Sequence, residues 1–426
     1  PANPDPLWSR GLGDVYKRQE KLIKFFRLGF LFGFLFWSFS ILWIYDAINF
    51  YGAGTFLSSL LTFLLIAYLS CYFGLFGMAV HFFKDHKYRL FLIPSSFFLL
   101  EWVKSWMISG FPWLNLGIIF ESLWGLLPIV GVSGTSFVML LIICAILEKN
   151  IYVKTVVPIL FTGLLLFGPG HYQKISEENS DLTVTVVQPA NLGLDGLIEL
   201  TNKADSNIVV WPEASAWYSG NAFSTDKRII GGFFRREESK TFTAVIDASN
   251  GEGYNKHNLV PFGEFQPFGD LLIGINSFFN IPNSRISRGA FVQDKLNWSG
   301  LVCWELVFNN TFIERAKGTE FIIHVSNDSW YGSSMPAQHL KHARARSVES
   351  NKWVVRSTTD GLSQIISPQN EQSSKLLNRK EYGSITHTIK TNTDDTIYLK
   401  IGDWPILIFS LLACLMGYIF RGNNEN

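Results

Sequence analysis

Long apolar runs constrain the fold of this 426-residue chain more than any other feature. Each run is close to the ~20 residues that an α-helix needs to cross about 30 Å of hydrocarbon. The runs cover residues 25–48, 55–83, 89–108, 128–147, 153–168 and 402–420. Because there are so many of them, buried helices of a large soluble core are a poor explanation. The sequence therefore predicts six transmembrane helices, with a polar block, residues 169–401, before the last one.

Lysine and arginine residues lie in every second loop between the apolar runs. They precede the first run, separate the second from the third and the fourth from the fifth, and follow the last: Lys21, Lys24, Arg27, Lys84, Lys87, Arg89, Lys149, Lys154 and Arg421. The loops 49–54 and 109–127 contain none. Because basic loops stay in the cytoplasm, we expect the polar block on the outer side of a bacterial inner membrane, in the Gram-negative periplasm.

The start of the chain differs from the rest. Residues 1–19 form no signal peptide, because no cationic start precedes an apolar core, and we expect them to be a non-native leader. The predicted domains are then a membrane domain of about five spans (20–168), an outer catalytic domain (169–401), and a last helix with a cytoplasmic tail (402–426). The net charge of +1, with no basic stripe, predicts no binding to nucleic acid.

The polar block contains short β-branched runs that end in turn residues. These runs cover residues 182–189, 207–215, 243–249, 299–306 and 320–328, and the stretches 192–205 and 334–352 are compatible with helices. Buried strands separated by helices predict a layered α/β sandwich. Catalytic side chains are then expected where strands end, because loops at that edge project into a common cleft.

Three residues at or near such ends form a complete set for acyl transfer. Glu213 follows a strand-like run, Lys256 lies in a loop, and Cys303 is the one cysteine of the polar block. A thiol needs a base to become a nucleophile, and a lysine can stabilise the oxyanion that forms. The alternatives are an inert buried thiol, a carboxylate that caps a helix and a solvated lysine.

The sequences around these residues resemble the nitrilase superfamily. VVWPEAS (209–215), YNKHNLVPFGEF (254–265) and LVCWEL (301–306) are similar to its three signature segments, and the second is typical of its apolipoprotein N-acyltransferase branch. SNDSWYG (326–332), the following segment 338–361, EWVKSWMISGFPWLNLG (101–117), GVSGTSF (131–137) and GDWP (402–405) are also similar to that branch. The resemblance covers roughly residues 28–420 and follows the family's order.

The resemblance implies a multi-span helical membrane domain and a nitrilase-like α-β-β-α sandwich outside the cytoplasm. The implied reaction moves an acyl chain from the sn-1 position of a phospholipid such as phosphatidylethanolamine to the N-terminal amine of a diacylglyceryl apolipoprotein. By motif, Cys303 is the expected nucleophile, Glu213 the base and Lys256 the oxyanion stabiliser, with Glu264 and Glu305 in support. We expect a monomer and no cofactor.

Aromatic residues near the motifs are candidates for lining a lipid-facing cleft: Trp217, Phe262, Phe265, Trp304, Trp330 and Tyr331. The apolar segment 265–282 predicts a lid or membrane-dipping arm, with a buried helix as the alternative. The spacing of His257, His324, His339 and His342 predicts no metal site.

Two other functions stay open from the sequence. One is a membrane-tethered amidase of the nitrilase type that acts on small amides. The other is a non-catalytic remnant that binds phospholipid or lipoprotein.

Overall fold

The structure is a computed structural model that describes residues 7–50, 52–177, 179–220, 223, 225–261, 263–265, 286–369 and 372–421, with side chains from residue 19 to 420 within these ranges. The predicted arm 265–282 lies outside the described residues except for Phe265, and so does Phe262.

Helices form most of the first 170 residues and one end of the chain. They are α1 (Leu7–Ser40), α2 (Trp43–Phe50), α3 (Gly54–Phe83), α4 (Arg89–Lys104), α5 (Leu127–Ile146), α6 (Ile151–Phe167), α7 (Gly193–Asn202), α8 (Asn309–Ala316), α9 (Met335–Ser350), α10 (Ile397–Ile401) and α11 (Trp404–Arg421). Helix α1 begins within residues 1–19, the segment that we expect from the sequence to be a non-native leader.

Four helical stretches in the described residues are long and apolar enough to cross a membrane, by length and composition: Gln19–Ser40, Gly54–Phe83, Leu127–Ile146 and Ile151–His171. Three of the predicted runs differ from them. The run 25–48 is interrupted after Ser40, and 402–420 contains a shorter apolar helix, Trp404–Phe420. The run 89–108 is helical over only 16 residues, Arg89–Lys104, and farther along Ile108 and Ser109 adopt φ values of 50° and 71° that a right-handed helix excludes.

Ten strands build the catalytic domain's two sheets within the described residues. They are β1 (Asp181–Gln188), β2 (Ile208–Trp217), β3 (Arg228–Glu237), β4 (Lys240–Asp247), β5 (Gly253–Asn255), β6 (Trp298–Val302), β7 (Phe321–Ser326), β8 (Val354–Thr358), β9 (Gln364–Ile366) and β10 (Gly383–Lys390). One sheet has the order β10-β1-β2-β3-β4-β5 and the other β6-β7-β8-β9. In each sheet three neighbouring strands are parallel, β1 to β3 and β6 to β8.

The two sheets face each other and helices cover their outer faces. Val184 and Val210 of the first sheet share a buried cluster with Ile323 and Val355 of the second. Leu197 of α7 packs on the outer face of the first sheet, and α8 and α9 pack on the outer face of the second. The predicted α-β-β-α sandwich is therefore confirmed. Because both faces of each sheet are covered, the central strands are continuous apolar runs.

Helix α9 joins the catalytic domain to the membrane domain at two places. At its start, the Gln338 side-chain oxygen accepts hydrogen bonds from the indole N–H groups of Trp43 and Trp113, at 3.1 and 2.7 Å. The Gln338 amide also donates to the carbonyl of Ser40, at 2.9 Å. One amide therefore ties the catalytic domain to the point where α1 ends and to the loop after α4.

At the other end of α9, Glu349 contacts a break in α5. Gly131 has φ 65°, which interrupts the helix, and the freed N–H of Val132 donates to Glu349 at 2.7 Å. Glu349 also pairs with Arg346, whose guanidinium donates to the carbonyls of Leu306 and Val307. Since both charged side chains are almost completely buried, each depends on the other for compensation.

Replacing Glu349 tests this second contact. In Glu349→Ala, Arg346 keeps a buried charge without its carboxylate, and the N–H of Val132 loses its acceptor. A buried charge left alone in this way costs about 3–5 kcal/mol, so we expect a clear fall in the thermal unfolding midpoint of the detergent-solubilised protein. Glu349→Gln keeps an acceptor for the N–H of Val132, so its thermal unfolding midpoint should fall less.

The matched control is Glu199→Ala. Glu199 also pairs with a basic residue one turn away, Lys203, but both side chains are largely exposed. Solvent-exposed ion pairs of this kind contribute little, so its midpoint should equal that of the parent protein. Equal midpoints for Glu349→Ala and Glu199→Ala would show that the α5 contact is not an important source of stability.

Candidate active site

Cys303 lies at a sharp turn where β6 ends. The strand ends at Val302, and residues Cys303–Val307 form a turn of 3₁₀ helix. Cys303 itself has φ 53°, a left-handed conformation that costs a non-glycine residue free energy and persists only where the surroundings enforce it. Cys303 thus lies directly after a strand, where the sequence predicts it, and the rest of the run 299–306 forms the turn. The turn presents the thiol at the strand end, and the residue is 1% exposed.

Glu213 lies at an irregularity inside β2. The pairing of β2 with β3 shifts register between Trp211 and Ala216, and Ala214 has φ 54°. Such a bulge changes the direction in which a side chain points. The Glu213 carboxylate is 4% exposed and accepts a hydrogen bond from the backbone N–H of Asn327 at 2.9 Å. The first sheet thus supplies a buried carboxylate that also contacts the end of β7 in the second sheet.

Lys256 follows β5 and reaches between two carboxylates. Its Nζ lies 3.2 Å from Glu213 Oε1 and 2.8 Å from Glu264 Oε1, and the side chain is 1% exposed. Its backbone N–H donates to the carbonyl of Thr243 in β4. Glu264 is itself held by the N–H of Val260, at 2.8 Å. The lysine ammonium is therefore fixed in place by the sheet at one end and by two carboxylates at the other.

The charges of this cluster shift the pKa values of its members. Burial raises the pKa of Glu213 above its usual range, and the positive charge of Lys256 offsets this only in part. Burial disfavours the ammonium form of Lys256, but Glu213 and Glu264 outweigh burial and raise the pKa of Lys256 well above its ordinary value. Lys256 is therefore a permanent cation, and Glu213 is a carboxylate that accepts a proton readily.

The same environment keeps the thiol protonated at rest. Burial raises the pKa of Cys303 far above its ordinary value, and the negative charge of Glu213 adds to that increase. The positive charge of Lys256 acts in the opposite direction. A resting thiolate is thus disfavoured, and the arrangement favours loss of the proton to a base during attack on a substrate.

Glu305 holds the loop of the lysine against the turn of the cysteine. One of its oxygens accepts from the backbone N–H groups of His257 and Asn258, at 2.6 and 3.1 Å. The other accepts from the N–H of Val302 at 3.0 Å. Because Glu305 is 2% exposed, these three donors compensate for its burial. Glu305 thus links Val302, the residue before Cys303, to His257 and Asn258, the two residues after Lys256. These contacts are those of a support for the site.

The predicted aromatic residues occupy different positions. Trp304 is buried and donates its indole N–H to the carbonyl of Asn258, whereas Trp217 is 54% exposed. Tyr331 packs edge-on against Trp43 of α2, with ring centroids 5.3 Å apart, and Trp330 lies near Phe50 of the same helix. Phe265 is partly buried beside Arg288. Trp330 and Tyr331 thus lie where the catalytic domain meets the membrane domain.

A group of buried residues on the backbone side of Cys303 was not predicted as a unit from the sequence. His324 and His339 contact the carbonyl oxygen of Cys303, and Arg356 and Asp328 lie behind these two histidines. The sequence predicts a strand over 320–328, and the segment 338–361 contributes to the family resemblance. Neither observation indicates a role for these side chains, because a single buried histidine or arginine has no characteristic spacing in the sequence. No group of three or more His, Cys, Asp or Glu residues within the described ranges is arranged to hold a metal ion.

The chain matches two family models and full-length relatives. Residues 12–145 match the apolipoprotein N-acyltransferase N-terminal domain, and residues 218–397 match the carbon-nitrogen hydrolase family. An apolipoprotein N-acyltransferase of Photobacterium profundum is 30% identical over 448 residues, which is 92% of this chain and 86% of that protein. One from Wigglesworthia glossinidia brevipalpis is 29% identical over 96% of this chain and 92% of that protein.

Among solved structures, a CN-hydrolase superfamily protein from Xanthomonas campestris aligns with a TM-score of 0.36 and 17% identity, over 54% of this chain and 97% of that one. The sequence relatives cover both the membrane helices and the catalytic domain, in one order. The chain belongs to the apolipoprotein N-acyltransferase family.

Proposed function

We propose that this protein transfers an acyl chain from the sn-1 position of a phospholipid, such as phosphatidylethanolamine, to the N-terminal amine of a diacylglyceryl apolipoprotein. The chain passes through a thioester on Cys303. The observation that supports this most directly is a buried thiol beside a carboxylate of raised pKa and a lysine fixed between two carboxylates. These groups stand next to helices that are long and apolar enough to span a membrane.

In the first half-reaction, Cys303 attacks the ester carbonyl of the phospholipid. The S–H proton passes to Glu213, a bond forms between sulfur and the carbonyl carbon, and the C=O electron pair moves to oxygen. The ammonium of Lys256 stabilises that oxyanion. When the C=O bond re-forms, the bond to the sn-1 oxygen breaks, and this oxygen takes the proton from Glu213. A lysophospholipid leaves, and Cys303 carries the acyl chain as a thioester.

In the second half-reaction, the amine of the lipoprotein attacks the thioester. Glu213 accepts a proton from the amine as the C–N bond forms, and Lys256 again stabilises the oxyanion. The C–S bond then breaks, the sulfur takes the proton from Glu213, and the amide product leaves. Water would compete for the same thioester. The near-complete burial of Cys303 limits its access.

The position of the site suits substrates that arrive from a membrane. Gln338 and Glu349 bind the catalytic domain to α1, α5 and the loop after α4, so the site cannot move far from the bilayer. Trp330, Tyr331 and Phe265 are proposed to contact the acyl chains, together with Trp217, Phe262 and Trp304. We further propose that the catalytic domain is periplasmic, that the membrane is the inner membrane, and that the protein acts as a monomer.

A trapped acyl-enzyme tests the nucleophile. Purified protein incubated with phospholipid alone should carry a fatty-acyl adduct on the Cys303 peptide in mass spectrometry, and a diacylglyceryl peptide should then remove it. Cys303→Ala should lack the adduct and transfer acyl chains about 10⁴-fold more slowly or worse, because the covalent route is lost. Cys414→Ala is the control and should retain the adduct.

Three outcomes would contradict this proposal. Acyl transfer at the parent rate in Cys303→Ala would exclude the thioester route. Hydrolysis of small amides in the absence of lipid would indicate a tethered amidase. Binding of phospholipid without any adduct would indicate a non-catalytic lipid-binding protein.

The pH dependence of acyl-enzyme formation tests Glu213. Acid protonates the base, so the rate should fall as the pH drops through the pKa of Glu213, at a pH above the ordinary glutamate value of about 4.3. Lys256→Gln removes a charge that lowers this pKa and should move the fall to higher pH; Glu264→Gln removes one that raises it and should move the fall to lower pH. Shifts of the same sign in both variants would contradict the assignment.

The sidedness of the catalytic domain can be measured with added cysteines. In spheroplasts of a Gram-negative host, a membrane-impermeant maleimide should label Lys203→Cys in the catalytic domain directly. It should label Asp85→Cys, in the loop between α3 and α4, only after permeabilisation. The side chains of Lys203 and Asp85 are both well exposed, so the two added cysteines are comparably accessible to the maleimide. Labelling of the parent protein gives the background from its own cysteines. The reverse pattern would place the catalytic domain in the cytoplasm.

A further inference from the structure

The backbone carbonyl of Cys303 is held by two buried histidines. His324 Nε2 lies 2.9 Å from this oxygen and His339 Nε2 lies 3.2 Å from it. His324 comes from the centre of β7 and His339 from the first turns of α9, so the two rings approach from different elements. They contact each other edge to face, with centroids 4.9 Å apart. A carbonyl with one such partner would already be satisfied, so the second contact adds restraint.

The ring of His324 has only one tautomer that fits its surroundings. Burial lowers the pKa of His324 well below its ordinary value, and the nearby Arg356 lowers it further, so the ring is neutral with one donor and one acceptor nitrogen. Arg356 Nη1 lies 2.8 Å from Nδ1 and can only donate to it. The proton therefore resides on Nε2, which donates to the carbonyl of Cys303.

Arg356 and Asp328 orient the ring of His339 from behind. Arg356 Nη2 lies 2.7 Å from Asp328 Oδ2 and 3.4 Å from His339 Nδ1, and Asp328 Oδ1 lies 3.3 Å from the same nitrogen. A donor and an acceptor therefore both face Nδ1 and hold the ring without fixing its tautomer, and a hydrogen bond to the Cys303 carbonyl requires the proton on Nε2. Asp328 also accepts from the hydroxyl of Ser326, at 2.6 Å. Burial alone would raise the pKa of Asp328, but Arg356 and His339 lower it more, so the carboxylate stays charged. Arg356, Asp328 and both histidines are fully buried, which leaves the rings little freedom to reorient.

These contacts supply what the conformation of Cys303 requires. A left-handed φ of 53° at a residue with a side chain is unfavourable and is maintained only where neighbouring groups over-determine it. Because the peptide unit is planar, fixing its carbonyl oxygen also limits rotation about the bonds that orient the cysteine side chain. Relaxation of this peptide would move the sulfur relative to Glu213 and Lys256.

We propose that His324 and His339 are positioning residues for acyl transfer, which clamp the carbonyl of Cys303 and so hold its sulfur in line with Glu213 and Lys256. The role rests on the proposed function of Cys303 as the nucleophile. The histidines act through the backbone of Cys303, and they neither touch substrate nor exchange protons with it. Arg356 sets the tautomer of His324, and Arg356 and Asp328 together orient the ring of His339.

Leucine and glutamine substitutions separate this role from simple packing. His324→Leu and His339→Leu fill the space but remove the donor, whereas His324→Gln and His339→Gln keep an N–H near the position of Nε2. A displacement of about 1 Å at a reacting atom can cost about 10²-fold. We therefore expect each leucine variant to form the acyl-enzyme roughly 10–100-fold more slowly, with KM for phospholipid nearly unchanged. Each glutamine variant should recover most of the rate.

Two further measurements and one control variant accompany these rates. The thermal unfolding midpoint reports folding, and alkylation of Cys303 by iodoacetamide, read by peptide mass spectrometry, reports the sulfur without any lipid substrate. His342→Gln is the matched control, because His342 is a buried histidine of the same helix that contacts Trp113 and the backbone of Leu114. It should keep the parent rate.

The outcomes are distinguishable from those of the proposed function. Parent rates in both leucine variants would overturn the positioning role, and so would glutamine variants as slow as the leucine variants at an unchanged midpoint. Cys303→Ala is measured in parallel. If it still transfers acyl chains, the proposed nucleophile fails whatever the histidines do; if it is inactive while the leucine variants are not, only the positioning role fails.

Discussion

The ammonium of Lys256 between the carboxylates of Glu213 and Glu264 is the interaction on which the site depends. All three groups are taken out of water, and removing a charge from water costs several kcal/mol for each ion unless good geometry compensates for it. The surrounding structure supplies that geometry through the backbone donors of Asn327 and Val260. This cluster therefore requires β2, β5 and the end of β7 to be in register before it can form.

Cys303, the proposed nucleophile, contacts a second network on its backbone side. Cys303 faces Glu213 and Lys256 on its side-chain side and two histidines on its carbonyl side. The strained backbone at the end of β6 makes both sets of contacts possible. The turn into a 3₁₀ helix directs the carbonyl and the side chain of Cys303 toward different layers of the sandwich. Burial makes a lone cysteine inert, and in the proposed mechanism Glu213 overcomes this by accepting the proton of Cys303.

Helix α9 connects these local networks to the membrane domain. Its first turns carry Gln338, which binds Trp43, Trp113 and Ser40, and His339, which binds the carbonyl of Cys303. Its last turns carry Arg346 and Glu349, which bind the turn after Cys303 and the break in α5. One helix thus contacts the backbone of Cys303 and the membrane helices together, so the candidate site and the membrane helices are parts of one packed structure.

Local pattern was sufficient for several elements and insufficient for others. The apolar runs at 182–189 and 320–328 became β1 and β7 almost residue for residue, because strands covered on both faces are continuously apolar. The edge strand β10 was missed, since GSITHTIK alternates between exposed and less exposed residues and contains few strongly apolar ones. The left-handed conformation of Cys303 was also missed, because the histidines that contact its carbonyl, His324 and His339, lie far from it in sequence.

The sequence by itself determined where the long apolar runs lie, and its local motifs singled out Glu213, Lys256 and Cys303 as the candidate groups of the site. Hydrophobicity and residue type are properties of the chain, so no tertiary information was needed for either. Only the tertiary structure decided which runs form helices of membrane-spanning length, that the lysine lies between two carboxylates, that burial raises the pKa of the Cys303 thiol, and that two histidines contact the carbonyl of Cys303. Burial and distances of a few ångströms set those properties, and they arise only when strands and helices from distant parts of the chain pack together.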